Sequence, residues 1–196
     1  MKNIRQELGG LGNALFKEAY IWAQMRDGKI PDIYVQSYKY WEKYKDEIRQ
    51  RFSSGIGRDD RVALHIRRGD YLKVTQFHVG LWDTDYYKKA VTLFSKDTRF
   101  LVFCKDNQNE AQDSDDKEWC LRNVPLLGID FEMYEHGKET DDLNAMASCG
   151  SIIGANSSFS WWAAFLSPHK GLKIFPKKWF CDNLQRTELL PEWTLL

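Results

Sequence analysis

Two arginines follow a short apolar run in the middle of the chain. Residues 62–66 read Val-Ala-Leu-His-Ile, and Arg67, Arg68, Gly69 and Asp70 come directly after them. The apolar run predicts a buried strand, so both guanidinium groups are expected at its carboxyl end. Because arginine stays charged and binds phosphate through two parallel hydrogen bonds, this placement favours a diphosphate ligand. Asp70 could orient or neutralise one arginine, and a simple salt bridge at a sheet edge is the alternative.

A second polar segment marks the turn from a predicted strand into a predicted helix. An apolar run at 151–155 leads into Asn156, Ser157, Ser158 and Phe159, and the helix is expected over 158–166. Free backbone N–H groups and serine hydroxyls at a helix start bind anions. A plain N-cap formed by Ser157 or Ser158 is the alternative.

Glycines near the amino terminus let the backbone approach a ligand closely. Gly9, Gly10 and Gly12 precede Asn13 and a helix predicted over 14–25. Their spacing is not that of a dinucleotide-binding loop, and no P-loop lysine follows. An ordinary turn is therefore the alternative to a binding loop.

Two Asp-x-Asp triplets raise the alternative of a metal site. Asp83 and Asp85 bracket a predicted helix start, where carboxylates are common because of the helix dipole. Asp113 and Asp115 lie in an acidic run, 113–116, that is expected to be solvated. Because neither triplet follows an apolar strand and the arginines can neutralise a diphosphate, we expect no metal.

Strand-like and helix-like segments alternate from residue 61 onward. This alternation predicts an α/β, doubly wound sheet of the Rossmann type, whose ligands bind at the carboxyl ends of strands. Upstream, the helical spacing of 34–52 predicts one helix, whose aromatic side chains could stack on a sugar or cover the sheet. Strands are predicted at 4–8, 62–67, 100–103, 131–134, 151–155 and 172–175, with further helices at 84–94, 110–122 and 141–148.

Composition excludes several classes of protein. The 196 residues carry 28 basic and 28 acidic side chains, which argues against nucleic-acid binding through bulk charge. The four cysteines show neither zinc spacing nor a CxxC pair and predict reduced thiols. No apolar run resembles a signal peptide or reaches the roughly 20 residues of a membrane span, so we expect a cytoplasmic protein.

Four segments together resemble the α-1,2-fucosyltransferase family, glycosyltransferase family 11. Residues 9–16 are similar to its GGLGNQLF element, with Ala14 in place of the glutamine. Residues 65–70 match its HxRRxD motif. Residues 142–149 with 156–164 match its long C-terminal motif, and 176–180 resemble its closing element.

The resemblance implies a GT-B-like fold with two facing α/β domains. Residues 59–196 would form the GDP-sugar-binding domain, and 1–58 a reduced N-terminal part on the acceptor side, because only about fifty residues separate Asn13 from His65. It implies transfer of L-fucose from GDP-β-L-fucose to the 2-hydroxyl of a galactoside, with inversion and without a metal or other cofactor. A non-catalytic GDP-sugar-binding protein, a transferase for another GDP-sugar and a metal-dependent transferase remain as alternatives.

The resemblance also implies roles for individual residues. Arg67, Arg68 and Asp70 are the expected catalytic group, since fixed positive charge stabilises the β-phosphate as the glycosidic bond breaks. Gly10, Gly12 and Asn13 are expected on the sugar and acceptor side, and Asp142 near the guanine. The expected donor-binding residues are His65, Arg67, Asp142, Asn156, Ser157, Ser158 and Phe159.

Overall fold

The structure, a computed structural model, describes residues 10–27, 37–104, 114–181 and 187–196. Its strands form one sheet in which every pair of neighbouring strands is parallel. The predicted strand at 4–8 lies outside the described residues. The strands are β1 (Asp59–Ile66), β2 (Arg99–Cys104), β3 (Asp130–Met133), β4 (Cys149–Ile153), β5 (Lys173–Phe175) and β6 (Thr194–Leu195).

The strand order across the sheet is β3-β2-β1-β4-β5-β6. This order is that of dinucleotide-binding Rossmann sheets and confirms the α/β, Rossmann-type prediction. From β1 the chain adds β2 and β3 on one side, and from β4 it adds β5 and β6 on the other. Leu64 of β1 lies in register with Ile153 of β4. Sheets of this order bind ligands in the crevice at the carboxyl edge between the two strands where the order reverses, which are β1 and β4 here.

Helices cover both faces of the sheet because its strands are apolar on both sides. Val62, Leu64 and Ile66 share one core with helices α3 (Tyr86–Val91) and α4 (Ser114–Asn123). Ala63 faces the other core, since successive strand residues point to opposite faces. That second core is formed with α1 (Leu11–Arg26), α2 (Lys45–Phe52), α5 (Glu139–Ser148) and α6 (Ser158–Leu166). Within the described residues, no helix is both long and apolar enough to cross a membrane.

The described residues before β1 pack into the same core as the sheet. Phe16 of α1 lies 4.6 Å from Trp161 of α6 between ring centroids, and Trp41 stacks on Trp162 at 5.6 Å. Tyr38 and Trp41 are buried, so these two aromatic residues cover the core, whereas Tyr40 is half exposed. The division into domains at residue 58 stays a prediction.

Two elements differ from the prediction. Residues 34–52 do not form one helix: 3₁₀ turns at Tyr38–Tyr40 and Glu42–Tyr44 precede α2. The chain turns at Trp41 because the side chain of Trp41 is fully buried in the core. The strand at 172–175 is also not the last, since β6 adds to the edge of β5. A strand of two residues leaves no periodic pattern in the sequence.

Candidate functional site

Arg67 leaves the carboxyl end of β1 and lies over an aromatic ring. Its guanidinium carbon is 4.8 Å from the ring centroid of Tyr71. The Tyr71 hydroxyl donates a hydrogen bond of 3.0 Å to the backbone carbonyl of Asn156, which follows β4. The two polar segments found in the sequence are thus joined directly across the crevice.

Arg68 takes a different direction from Arg67. Its Nε atom donates to a carboxylate oxygen of Asp116 at 3.1 Å, and its guanidinium lies 3.8 Å from the ring centroid of Trp119. The other carboxylate oxygen of Asp116 accepts from the Gly69 N–H at 2.7 Å. Arg68 therefore ties helix α4 to the turn that follows β1. The side chain of Asp70 lies outside the described residues, and its role stays a prediction.

Asp116 corrects the expectation that the acidic run 113–116 is solvated. Its side chain is only 3% exposed. Charge-assisted hydrogen bonds from Arg68 and Gly69 offset the cost of burying the carboxylate. Cys120, one helical turn later, is also buried, so this face of α4 points into the protein.

His65 is a buried, neutral imidazole beside the crevice. Burial, followed by the positive charge of Arg67 and the nearby His136, lowers the pKa of His65 to about 3. Its ring centroid lies 6.0 Å from that of Phe159. Its Nδ1 atom is buried without a hydrogen-bond partner among the described residues. Such atoms are rare in proteins and fit a position that a ligand completes.

Asn156 clamps two loops beside the crevice. Its side-chain nitrogen donates to the backbone carbonyls of Val79 and Trp179, each at 3.0 Å. The same loops pair directly through a hydrogen bond of 3.2 Å from the Val79 N–H to the Trp179 carbonyl. Asn156 is 2% exposed, and both loops hold its amide nitrogen. The structure thus gives Asn156 a positioning role, and its donor contact stays a prediction.

Ser157 is the N-cap of helix α6. Its hydroxyl oxygen accepts a hydrogen bond of 3.3 Å from the Phe159 N–H. Ser160 is fully buried and accepts from the Ala155 N–H at 3.1 Å. Capping therefore accounts for Ser157, and local packing accounts for Ser160. Ser158 is partly exposed at the helix start, where backbone N–H groups are available to an anion.

The glycine turn packs against this same helix start. A Cβ atom on Gly12 would lie 2.5 Å from the carbonyl carbon of Ser158 and 2.6 Å from its hydroxyl oxygen. No atom approaches the corresponding position on Gly10 within 4 Å. The Asn13 N–H closes the turn by donating to the Gly10 carbonyl at 3.0 Å. The turn therefore lies beside the donor-side residues, and its contact with an acceptor stays a prediction.

Asp142 holds the loop between β3 and α5. One carboxylate oxygen lies 2.9 Å from Nδ1 of His136, and the other accepts from the Gly137 N–H at 2.9 Å. Burial alone would lower the pKa of His136, but contacts with Cys104 and Asp142 raise that pKa to about 9. The side chain of His136 is 13% exposed, so this histidine is largely buried beside Asp142.

The structure describes the side chains of only one of the two Asp-x-Asp triplets. Asp83 and Asp85 are exposed, and Asp85 makes an ion pair of 3.7 Å with Lys89. The side chains of Asp113 and Asp115 lie outside the described residues. Among the residues that are described, no three His, Cys, Asp or Glu side chains form a group suited to a metal ion.

Comparison with known protein families identifies the family of this chain. The profile of Glycosyl transferase family 11 matches residues 29–196. The chain belongs to glycosyltransferase family 11. The resemblance carried by the arginine motif and the C-terminal motif is thereby confirmed. Residues 9–16, the glycine element, lie before the matched segment.

Named relatives of this family 11 chain include bacterial and mammalian transferases. It is 31% identical over 139 residues to O-antigen biosynthesis glycosyltransferase WbnK of Escherichia coli, covering 67% of this chain and 43% of that protein. It is 30% identical over 164 residues to Alpha-1,2-colitosyltransferase of Escherichia coli, covering 74% and 54%. It is 30% identical over 153 residues to Galactoside alpha-(1,2)-fucosyltransferase 1 of Rattus norvegicus, covering 71% and 38%.

The chain thus spans about half or less of each of these relatives. No solved structure matches it.

Proposed function

We propose that this chain binds GDP-fucose in the crevice between β1 and β4 and transfers L-fucose to the 2-hydroxyl of a galactoside. We propose that transfer inverts the anomeric carbon and needs no metal. The observation that supports the proposal is the hydrogen bond from Tyr71 to Asn156, which links the ring next to Arg67 to the turn before helix α6. The rat relative named for galactoside α-(1,2)-fucosyl transfer supports the same chemistry.

Arg67 and the start of α6 supply positive charge from two sides. As the glycosidic bond breaks, negative charge develops on the β-phosphate of the departing GDP. A fixed guanidinium and oriented backbone N–H groups stabilise that charge without reorganising during the reaction. We assign this work mainly to Arg67, because Asp116 already neutralises the charge of Arg68.

His65 supports the donor as a neutral group. Its depressed pKa keeps the ring uncharged at neutral pH, so it adds a hydrogen bond but no charge. The acceptor hydroxyl can lose its proton late when the transition state resembles an oxocarbenium ion, so a strong base is not required.

A transferase for a different sugar is the second candidate. The relative named Alpha-1,2-colitosyltransferase is as similar to this chain as the rat fucosyltransferase, at 30% identity each. The residues proposed to line the crevice would bind the diphosphate, and every GDP-sugar contains that group. Arg67 would bind the diphosphate of either donor, and only the sugar pocket would differ. A non-catalytic GDP-sugar-binding protein is a third candidate, because the chain spans only part of each relative.

Thermal denaturation with nucleotides tests the donor half of the proposal. A ligand that binds only the folded state raises the midpoint, so GDP and GDP-fucose should raise it and UDP should not. EDTA should leave the shift unchanged. Equal shifts with GDP and UDP, or a shift that needs manganese or magnesium, would contradict the proposal.

Transfer itself is tested with a galactoside panel and mass spectrometry. Fucosylated product from GDP-fucose supports the proposed activity. Product from another GDP-sugar alone supports the second candidate. GDP binding with neither transfer nor donor hydrolysis supports the non-catalytic candidate.

A further inference from the structure

Arg67 belongs to a cluster of flat side chains beside the crevice, in which the rings of Tyr71 and His78 are stacked. The rings of Tyr71 and His78 are nearly parallel, with centroids 4.0 Å apart and an interplanar angle of 15°. The guanidinium carbon of Arg67 lies 4.8 Å from the centroid of Tyr71. The His78 ring also contacts the ring of Phe180, with centroids 5.2 Å apart. The Tyr71 ring thus contacts a cation and is supported by a second ring.

Hydrogen bonds to or within the backbone hold Tyr71, His78 and Phe180 in this cluster. The Tyr71 hydroxyl is held by the Asn156 carbonyl at 3.0 Å. His78 and Phe180 form an antiparallel bridge between their loops, and the side chain of Asn156 joins the same two loops. Tyr71 and the two loops joined by the Asn156 side chain are thus linked through the same residue.

Arginine is a long side chain with many rotamers, and ordering it on ligand binding costs conformational entropy. An aromatic ring that already holds the guanidinium reduces this entropy cost, because the arginine side chain loses part of its conformational freedom before the ligand binds. Aromatic faces attract guanidinium groups, and the attraction grows as the pair is desolvated. Arg67 is only partly exposed, so such stacking is effective here.

We propose that Tyr71 is a positioning residue that holds the Arg67 guanidinium towards the diphosphate of the nucleotide sugar. The inference rests on the proposed function of the crevice. It assigns Tyr71 no contact with the donor: the residue acts through Arg67. His78 supports the Tyr71 ring, and Asn156 fixes its hydroxyl.

Measuring the mobility of the Arg67 side chain tests the positioning role directly and needs no ligand. In ¹H–¹⁵N NMR spectra, assigned with an Arg67→Lys variant, the Nε–H of Arg67 in the wild-type protein should have an order parameter above roughly 0.6. Arg99, whose side chain is 66% exposed and whose Nη2 atom lies 3.9 Å from Glu132, is the internal reference for a mobile arginine, and its Nε–H should lie below this value. Equal mobility of Arg67 and Arg99 in the wild-type protein overturns the proposal.

Variants of Tyr71 separate the effect of its ring from the effect of its hydroxyl. Tyr71→Phe keeps the ring and should keep Arg67 ordered, whereas Tyr71→Leu should release it. Tyr44→Leu is the matched control, because Tyr44 also lies beside an arginine, with its ring centroid 5.6 Å from Arg26. That control should leave Arg67 unchanged. An Arg67 signal that stays ordered in a folded Tyr71→Leu protein overturns the proposal.

GDP affinity, measured by calorimetry, provides the functional readout. Tyr71→Leu should raise the Kd about 3- to 30-fold, and Tyr71→Phe should stay within about threefold of wild type. In an Arg67→Ala background, Tyr71→Leu should cause no further loss, because its effect passes through Arg67. Additive losses would mean that Tyr71 acts independently and would overturn the proposal.

The two readouts separate this inference from the proposed function. If wild-type protein does not bind GDP, the proposed function fails, while the NMR order parameter still decides whether Tyr71 holds Arg67. If GDP binds and Arg67 is mobile, the positioning role fails while the donor site stands.

Discussion

Gly12 and Ser158 are in direct contact, so the amino-terminal ends of helices α1 and α6 meet at one point. The space above the Gly12 Cα atom is filled by the backbone and hydroxyl of Ser158, 2.5 and 2.6 Å from an added Cβ atom. The Phe159 N–H lies 2.7 Å from the same position. A side chain at Gly12 would therefore press on the start of α6, which we propose as part of the diphosphate site.

Gly12→Ala should weaken both folding and GDP binding. The added methyl group overpacks the contact, and backbone atoms cannot move aside as a flexible side chain would. We expect a loss of about 1–3 kcal/mol in the free energy of unfolding, measured by urea denaturation. Gly10→Ala is the matched control, because nothing lies within 4 Å of its added Cβ atom. Equal stability of the two variants would show that α1 and α6 do not meet as described.

Replacing each of the two arginines should have a different effect. Arg67→Lys keeps the charge but loses the planar fork, so GDP affinity should fall by about 1–3 kcal/mol with little change in stability. Arg68→Met should instead lower the free energy of unfolding by about 3 kcal/mol, because it leaves the buried Asp116 without its cation. Calorimetry with GDP and urea denaturation separate the two effects.

The double variant Arg68→Met with Asp116→Leu should regain much of the lost stability, since both charges of the pair are removed together. A stable Arg68→Met single variant would show that the ion pair does not hold α4. Wild-type GDP affinity in Arg67→Lys would exclude Arg67 as a phosphate ligand.

The sequence predicted the central strands because burial dictates their composition. Strands β1, β2 and β4 lie between two layers of helices, so they read as continuous apolar runs that end where polar residues begin. The contacts that organise the site could not be predicted in this way. Asp116 is 48 residues from Arg68, and Asn156 is 85 residues from Tyr71. No local spacing signals such pairs, and only the folded sheet brings them together.

His136 should make stability depend on pH, because contacts with Cys104 and Asp142 raise the pKa of its imidazole. The pKa of His136 is raised to about 9 from its ordinary 6.5, so its contribution to stability is fully present below pH 6.5. That contribution is lost as pH rises from 6.5 to 9, on the order of 2–3 kcal/mol in total. Asp142→Asn should reduce the loss, and Asp141→Asn, which changes an exposed neighbour, should not.

NMR titration of the histidine rings checks the same point. His136 should titrate near pH 9 in the wild-type protein and lower in Asp142→Asn. His65, whose pKa is about 3, should stay neutral throughout this range. The same pH dependence of stability in wild type and Asp142→Asn would show that the carboxylate does not hold the imidazolium.

Lys173 should reduce stability at neutral pH. This lysine on β5 is 8% exposed, and its amine is buried without a hydrogen-bond partner among the described residues. Burial lowers the pKa of Lys173 to about 8 from the usual 10.5. The cost of burying the charge is therefore fully present below pH 8 and disappears as pH rises towards 10.5.

Lys173→Met keeps the volume and removes the charge, so it should raise the free energy of unfolding at pH 7 by about 1–3 kcal/mol. The gain over wild type should shrink between pH 8 and 10.5, because the wild-type amine becomes neutral. Lys170→Met, at an exposed position three residues earlier, should change stability by less than about 0.5 kcal/mol. Urea denaturation at several pH values measures the free energy of unfolding of the wild type, Lys173→Met and Lys170→Met. A less stable Lys173→Met protein would mean that the buried amine makes a favourable interaction that the methionine cannot replace.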